Sequence, residues 1–262
     1  MALLRVENLS SVHRTGGGWF SGAPRVEVRA VDAVGFTIEE GRAVGIAGET
    51  GCGKTTLALT LLRILPPAGG TVHFAERPVF RMSSHRFQRL RSDLQMLFSH
   101  PNDAFRPGWT IRRLFQEVLR LHQRELGRKE SRDRMETLLD AVGLSRDCLS
   151  LFPGDLNLFD RQRVCLARAL AAQPRLLICD DPTRYLDTVS QARILDILRE
   201  IRIQRRITLL YLAREYAVAE HLSDEMHIMN RGRIVESGSP DELFHSARHE
   251  CTRQLLASGG MM

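Results

Sequence analysis

Gly48-Glu49-Thr50-Gly51-Cys52-Gly53-Lys54-Thr55 decides how the rest of this chain is read. The segment fits the pattern G-x-x-x-x-G-K-[ST], in which bare glycine backbone lets amide N–H groups converge on phosphate oxygens. Its lysine stands out. Of 37 Lys and Arg residues, only Lys54 and Lys129 are lysine. A compact ammonium on a thin stem fits inside a ring of amides, whereas a planar guanidinium does not. Upstream, Ala43–Ala47 reads as a short buried strand. Downstream, Thr55–Leu65 has helical spacing and stops at Pro66-Pro67. Strand, glycine loop and helix in that order is the setting this motif requires, and it marks a site for a nucleoside triphosphate. The helix would add its positive end, Lys54 would reach the β- and γ-phosphates, and Thr55 would offer a hydroxyl to Mg²⁺.

The 262 residues are 43% hydrophobic and 26% charged, an ordinary globular balance with enough length for one large domain or two lobes. No apolar run approaches the roughly 20 residues needed to span a bilayer. The start, Met1-Ala2-Leu3-Leu4-Arg5, has no apolar stretch after a basic one, so no secretory signal is expected. Cys52, Cys148, Cys165, Cys179 and Cys251 are scattered without C-x-x-C spacing. That argues against disulfides and a zinc or iron-sulfur site, and points to a reducing cytosol. The net charge of +6 would suit nucleic acid or an anionic surface. The arginines are spread along the chain without a basic tail or an RNA-binding motif, so a solvated Arg-rich surface is expected and nucleic acid is not a partner.

Strand-like and helix-like segments alternate. Leu3–Val6, Arg25–Ala33 and Val34–Ile38 read as strands, the first two joined by Gly16-Gly17-Gly18-Trp19-Phe20. About Pro101 to Asp160 the texture changes to helix formers and charge, with Ile111–Gln123 and Lys129–Val142 predicted helical. This is an inserted helical lobe. Arg161–Ala172 is predicted as an amphipathic helix, Arg175–Asp180 as a buried strand, Val189–Gln204 as a helix, Thr208–Leu212 as a strand and Ala217–Leu222 as a short helix. Glu225–Met229 and Arg233–Ser237 form a hairpin around Asn230-Arg231-Gly232. His221, His227, Met226 and Met229 sit in ordinary helix and strand patterns and are expected to be structural.

The apolar run Leu176-Leu177-Ile178-Cys179 ends in Asp180, the way a Mg²⁺-holding carboxylate is presented at a strand's C-terminal end. Together with the phosphate loop, and in that order, the chain resembles the ATP-binding subunits of ABC transporters, and within them the importers of dipeptides, oligopeptides and nickel. The resemblance rests on Ala30-Val31-Asp32-Ala33-Val34-Gly35-Phe36, Leu94-Gln95-Met96-Leu97-Phe98, Arg161 to Leu170, Gly232 to Gly238 and His249 to Leu256, and so covers nearly the whole chain. It implies an α/β fold: a P-loop NTPase (RecA-like) core with an antiparallel β subdomain and an inserted helical subdomain. Residues 1–262 would then form one ATP-binding domain. Its core and β subdomain would take about 1–98 and 161–246, the helical lobe about 99–160, and a short C-terminal helix about 247–260. ATP and Mg²⁺ are the implied cofactors, with Gly48, Glu49, Thr50, Gly51, Cys52, Gly53, Lys54, Thr55 and Thr56 around the nucleotide and Thr55 and Asp180 on the metal. His13 or Trp19 would stack on adenine.

The departures from the family pattern fall on the hydrolytic machinery. Its signature L-S-G-G-Q reads here Leu156-Asn157-Leu158-Phe159-Asp160, with side chains where bare backbone approaches the γ-phosphate held by an opposite subunit. The catalytic Glu is replaced by Asp181, shorter by roughly 1.5 Å. A misplacement of about 1 Å can cost on the order of a hundredfold in rate. Arg214 stands at the switch histidine and cannot exchange a proton near neutral pH. Ser99 stands at the Q-loop glutamine and is too short to bridge Mg²⁺ and water. Binding kept and hydrolysis weakened is the expectation. The implied partners are a second, intact ABC ATPase, two transmembrane permease subunits and, indirectly, a periplasmic or extracellular substrate-binding protein. The implied place is the cytoplasmic face of the cell membrane. A soluble nucleotide-binding scaffold or sensor is the alternative.

Overall fold

The computed structural model describes residues 1–15 and 26–258, with the side chains of 13–15 and 26 outside the description. In chain order the strands are β1 (Ala2–Thr15), β2 (Val26–Glu39), β3 (Ala43–Ala47), β4 (Gly69–Phe74), β5 (Arg77–Pro78), β6 (Leu94–Leu97), β7 (Leu176–Asp180), β8 (Thr208–Ala213), β9 (Glu225–Asn230) and β10 (Arg233–Gly238). The helices are α1 (Lys54–Leu61), α2 (Ser84–Leu90), α3 (Ile111–His122), α4 (Arg128–Asp140), α5 (Leu158–Leu170), α6 (Thr188–Arg205), α7 (Tyr216–Glu220), α8 (Pro240–Ser246) and α9 (Glu250–Ser258). The chain divides into two compact units, one of Met1–Phe87 with Leu210–Met262 and one of Gln88–Leu209.

In the first unit β1 is the spine of an antiparallel sheet of order β2-β1-β4-β5. The sequence suggested shorter strands here. The structure instead runs β2 unbroken through Ala33, which takes a left-handed φ of 52° beside a register shift against β1. An irregularity of this kind breaks the alternation of apolar and polar residues without ending the strand. A second set of strands is ordered β10-β9-β3-β8. β3 pairs parallel to β9 (Val44 opposite Glu225), and β9 pairs antiparallel to β10. All five residues of β3 and all six of β8 are buried. Continuous apolar runs of that kind belong to strands covered on both faces. α1 begins immediately beyond the glycine loop and is shorter than the helical spacing suggested, ending at Leu61.

In the second unit β6 and β7 pair in parallel, Leu94 opposite Leu176, and β7 is wholly buried. Helices α3, α4, α5 and α6 lie in this unit. Their starts are set by polar side chains: Thr110 accepts from Arg113 N–H before α3, Asn157 from Asp160 N–H before α5, and Asp187 from Val189 and Ser190 N–H before α6. These caps satisfy backbone donors that have no partner within the helix. Hydrogen bonding from Ser190 holds the Asp187 carboxyl below the usual carboxylate range.

His227 is 4% exposed on β9. Its Nδ1 lies 2.7 Å from Ser237 Oγ, while its Nε2 is buried without a hydrogen-bond partner. Burial pulls its pKa down to about 4, so the ring is neutral at physiological pH and its 3.8 Å approach to Glu225 is no ion pair. Acid therefore works against the fold. The unfolded chain takes up the proton near pH 6.5, the folded one only near 4, so stability is full above that window and falls as pH drops through it. Urea denaturation is expected to show a His227-dependent loss on the order of 3 kcal/mol between pH 6.5 and 4. His227→Gln should remove that component, and a difference between the two proteins that does not change with pH would contradict this.

Candidate functional site

The phosphate loop belongs to the first unit, carried between buried β3 and α1. Its glycines are demanded by neighbouring backbone. A Cβ on Gly53, whose φ is 114°, would land on the carbonyl oxygen of Ala30 in β2. A Cβ on Gly48 would land on that of Met229 in β9. Gly51, at φ 85°, faces open space. The loop is also pinned from outside: Gly48 N–H donates to Ala213 O at 3.2 Å, and Gly232 N–H donates to Cys52 O at 2.8 Å. Strand packing on both sides thus sets the curvature of the loop.

Lys54 is 7% exposed and curls back over this loop. Its Nζ donates to Gly48 O at 2.6 Å, Glu49 O at 2.9 Å and Cys52 Sγ at 3.4 Å. All three ammonium donors therefore point into the loop. α1 has no acidic residue in its first turn, so nothing offsets its positive end. Thr55 is exposed and Thr56 buried. Glycine backbone closed to Cβ atoms, an ammonium, an exposed hydroxyl and an uncompensated helix start fit the phosphates of a nucleotide and an accompanying cation.

Arg214 follows β8 in the same unit. Ala213, just before it, is the residue whose carbonyl receives the Gly48 amide, so Arg214 lies next to the start of the phosphate loop. The Arg214 guanidinium is 3.6 Å from Glu215 Oε1. Asp32 is bound by Arg233 at 2.6 and 2.7 Å, and that hydrogen bonding holds its carboxyl below the usual range. The pair links β2 to β10 around the loop. His13 is on β1 opposite Val28, but its ring lies outside the described residues, as does Trp19.

The second unit carries the other candidates. Asp180, the last residue of β7, is 6% exposed. Asp181 is 8% exposed and takes a left-handed φ of 46°, a conformation that aspartate adopts more readily than most residues. It opens a tight turn in which Arg184 N–H donates to Asp181 O at 3.1 Å. Burial pushes the neighbouring Cys179 thiol up, which makes it unreactive. Ser99 lies two residues beyond β6, half-buried. Beside it, Gln162 of α5 donates to Phe98 O at 2.9 Å, is 1% exposed, and has a buried Oε1 without a partner. Sequence reading passed over Gln162; a glutamine amid arginines carries no signal until its burial is seen.

The segment Leu156–Asp160 forms the start of α5. Asn157 is its N-cap, and Asp160 lies in the first turn. Asp160 N–H is taken by Asn157 Oδ1 at 2.8 Å, and the Asp160 carboxylate pairs with Arg163 and with Asn157 Nδ2. Arg163 also covers the Phe159 ring at 4.4 Å and donates to Gly143 O at 2.6 Å. The helix start is thus closed by its own side chains. Asp160 acts there by occupying donors and space, since its charge is already met by Arg163.

A separate groove of about 230 Å³ in this unit is walled by Phe105, Trp109 and Phe152. The guanidiniums of Arg106 and Arg113 each stack on the Trp109 ring, at 4.7 and 4.2 Å, and Phe152 is 47% exposed. Among the described residues no helix is long and apolar enough to cross a membrane, and no cluster could hold a metal through His, Cys, Asp and Glu alone.

A glycine-walled phosphate loop on an α/β scaffold defines a nucleoside-triphosphate-binding protein of the P-loop class. A family model described as ABC transporter matches residues 31–184. The oligopeptide transport ATP-binding protein OppF of Salmonella typhimurium is 32% identical over 259 residues, 98% of this chain and 77% of OppF. The di/tripeptide transport ATP-binding protein DppF of Pseudomonas aeruginosa is 32% identical over 256 residues, 98% of this chain and 78% of DppF. Among solved structures, CbiO1 of Clostridium perfringens aligns with a TM-score of 0.78 at 23% identity, over 98% of this chain and 95% of CbiO1. A dimeric bacterial ABC transporter cassette aligns at 0.79 with 21% identity, over 90% and 98%. The chain belongs to the ATP-binding proteins of the ABC transporter family and has their α/β fold. Its cofactors are ATP and Mg²⁺.

The loop geometry separates two glycines that the motif treats alike. Gly51→Ala is expected to cost about 1–2 kcal/mol through its left-handed backbone alone. Gly53→Ala adds a backbone collision and should cost about 3 kcal/mol while removing ATP binding. Thermal melts with and without Mg-ATP check this, and equal effects at the two positions would contradict it.

Proposed function

We propose that this chain is an ATP-binding subunit of an ABC importer for peptides or nickel-type substrates, with an ATP site built to bind better than it hydrolyses. The observation that carries this is the contrast between two helix starts. α1, behind the phosphate loop, has no carboxylate in its first turn, whereas the start of α5 is filled by Asn157, Phe159 and Asp160. Lys54 and the loop amides would hold the β- and γ-phosphates, and Thr55 and Asp180 would hold Mg²⁺, which offsets phosphate charge when bound. Asp181 would be a poorly placed base for water. Arg214 would meet the γ-phosphate as a fixed cation, and Ser99 would leave the bridge between metal and water unmade.

A homodimer would repeat these defects in both composite sites, so the partner is a sister ATPase with intact motifs. Closure of the pair would be driven by ATP binding. The aromatic groove at Phe105, Trp109 and Phe152 would receive a cytoplasmic helix of the permease, which places the chain peripherally at the inner face of the membrane. The substrate class follows the oligopeptide and di/tripeptide transport relatives, and selection belongs to the permease and a substrate-binding protein.

Lys54→Ala is expected to abolish ATP retention in filter binding, and undiminished retention would remove the loop from the site. In complex with the sister ATPase, the joint replacement Asn157→Ser, Leu158→Gly, Phe159→Gly and Asp160→Gln should raise steady-state ATP turnover by at least about tenfold. An unchanged rate would place the defect elsewhere. A chain that fractionates free of the membrane in cells expressing its permease would favour the scaffold alternative.

A further inference from the structure

We propose that the second unit carries an anion-binding cavity, between α3, α4 and the turn that joins them, for a compact soluble ligand bearing two or more phosphate groups. The cavity measures about 400 Å³, within the range of small-molecule sites. Arg112, Arg120, Arg124, Arg128 and Arg132 line it, and no acidic residue does. Of the five, Arg132 has a carboxylate partner, Glu136 at 2.9 Å; the other four make no ion pair among the described residues. Nearby Arg146 shows how this chain treats a structural arginine, with Glu136 and Asp140 at 2.7 and 2.9 Å. Four of the five arginines of the cavity are gathered without such compensation.

Local helix electrostatics is also set against stability here. α4 opens with Arg128 and Lys129, cations at the helix end that is already positive, against a single first-turn carboxylate, Glu130, which accepts from Gly127 N–H at 2.8 Å. Arg128 and Arg132 stand one turn apart on the same face, where like charges repel. Lys129 is the second of the chain's two lysines, and the nucleotide site leaves it without a role. One capping carboxylate and one ion pair leave most of this cationic cluster unmatched, which points to an anionic ligand that completes it. Planar guanidinium forks match phosphate oxygens in pairs.

The floor is apolar and anchored. Leu119, Leu126 and Met135 form it, and Gln123, 8% exposed, ties it down by donating to Ala171 O at 2.7 Å. A concave floor of this kind suits a small ligand better than the flat face of a bilayer. Every residue of the cavity is in the second unit, so the inference does not depend on the nucleotide reading.

The probe is sodium tripolyphosphate, titrated calorimetrically into the full-length Lys54→Ala protein so that the phosphate loop is silent. Should that variant fold poorly, wild-type protein saturated with a non-hydrolysable Mg-ATP analogue serves instead. One-to-one binding is expected. It should weaken at least about tenfold in Arg120→Ala/Arg124→Ala/Arg128→Ala. It should change less than about twofold in Arg193→Ala/Arg199→Ala, which removes exposed charge from α6. Absence of binding, equal weakening in both variants, or binding to anionic phospholipid vesicles without binding to tripolyphosphate would overturn the proposal.

Discussion

The ammonium of Lys54, buried against the carbonyls of Gly48 and Glu49, holds the segment on which the nucleotide site depends. It can do so because backbone from β2 and β9 presses on the loop at Gly53 and Gly48, leaving no room for any side chain. The loop is shaped by the strands around it, and the lysine fills the space they leave. A guanidinium would not fit that ring, which is why a chain so committed to arginine keeps an ammonium here. Its carbonyl partners are polar groups that phosphate oxygens can replace, so exchanging one set for the other costs little.

Helix starts are the second theme. Three of them bear different charges: nothing acidic at α1, a paired carboxylate at α5, and two cations with one capping carboxylate, Glu130, at α4. The same positive pole underlies all three. A bare pole is open to an anion, a pole covered by its own aspartate is closed to one, and a pole whose cations outnumber its one capping carboxylate favours an added anion. In the proposed function the first serves this chain's own nucleotide and the second weakens what it offers its partner. The third is idle in that scheme, which is what singles it out.

Much of the fold was legible in the sequence because burial on both faces leaves a plain mark. β3, β7 and β8 are short apolar runs ended by glycine or charge, and their assignments hold to within a residue or so. The strands β1 and β2 were read short because their register shifts, near Leu9 and Ala33, interrupt the alternation by which strands are recognised. β4, β5, α2 and α8 went unread, being short or mixed in pattern. In the candidate site, residue types and spacing pointed to Lys54, Thr55 and Asp180, and the family resemblance pointed to the segment Leu156–Asp160. They did not reveal that Asp160 is already paired with Arg163, that Asp181 sits in a left-handed turn, or that Gln162 is buried beside Ser99.

The sequence by itself determined the class of chemistry, because a glycine-lysine loop between a buried strand and a helix has few other uses. Through the family resemblance it also marked the positions expected to depart from the family pattern, since those are matters of residue identity and order. Tertiary structure alone decided what the altered residues do with their charge, which glycines are walled in by backbone, and where unpaired arginines gather. Some of these are contacts within one helix turn, such as Asp160 with Arg163, and others, such as Gly48 against Met229, join groups far apart in the chain; all depend on which atoms come within a few ångströms of one another. Coulombic and steric energies are set by that separation, and a linear order does not contain it.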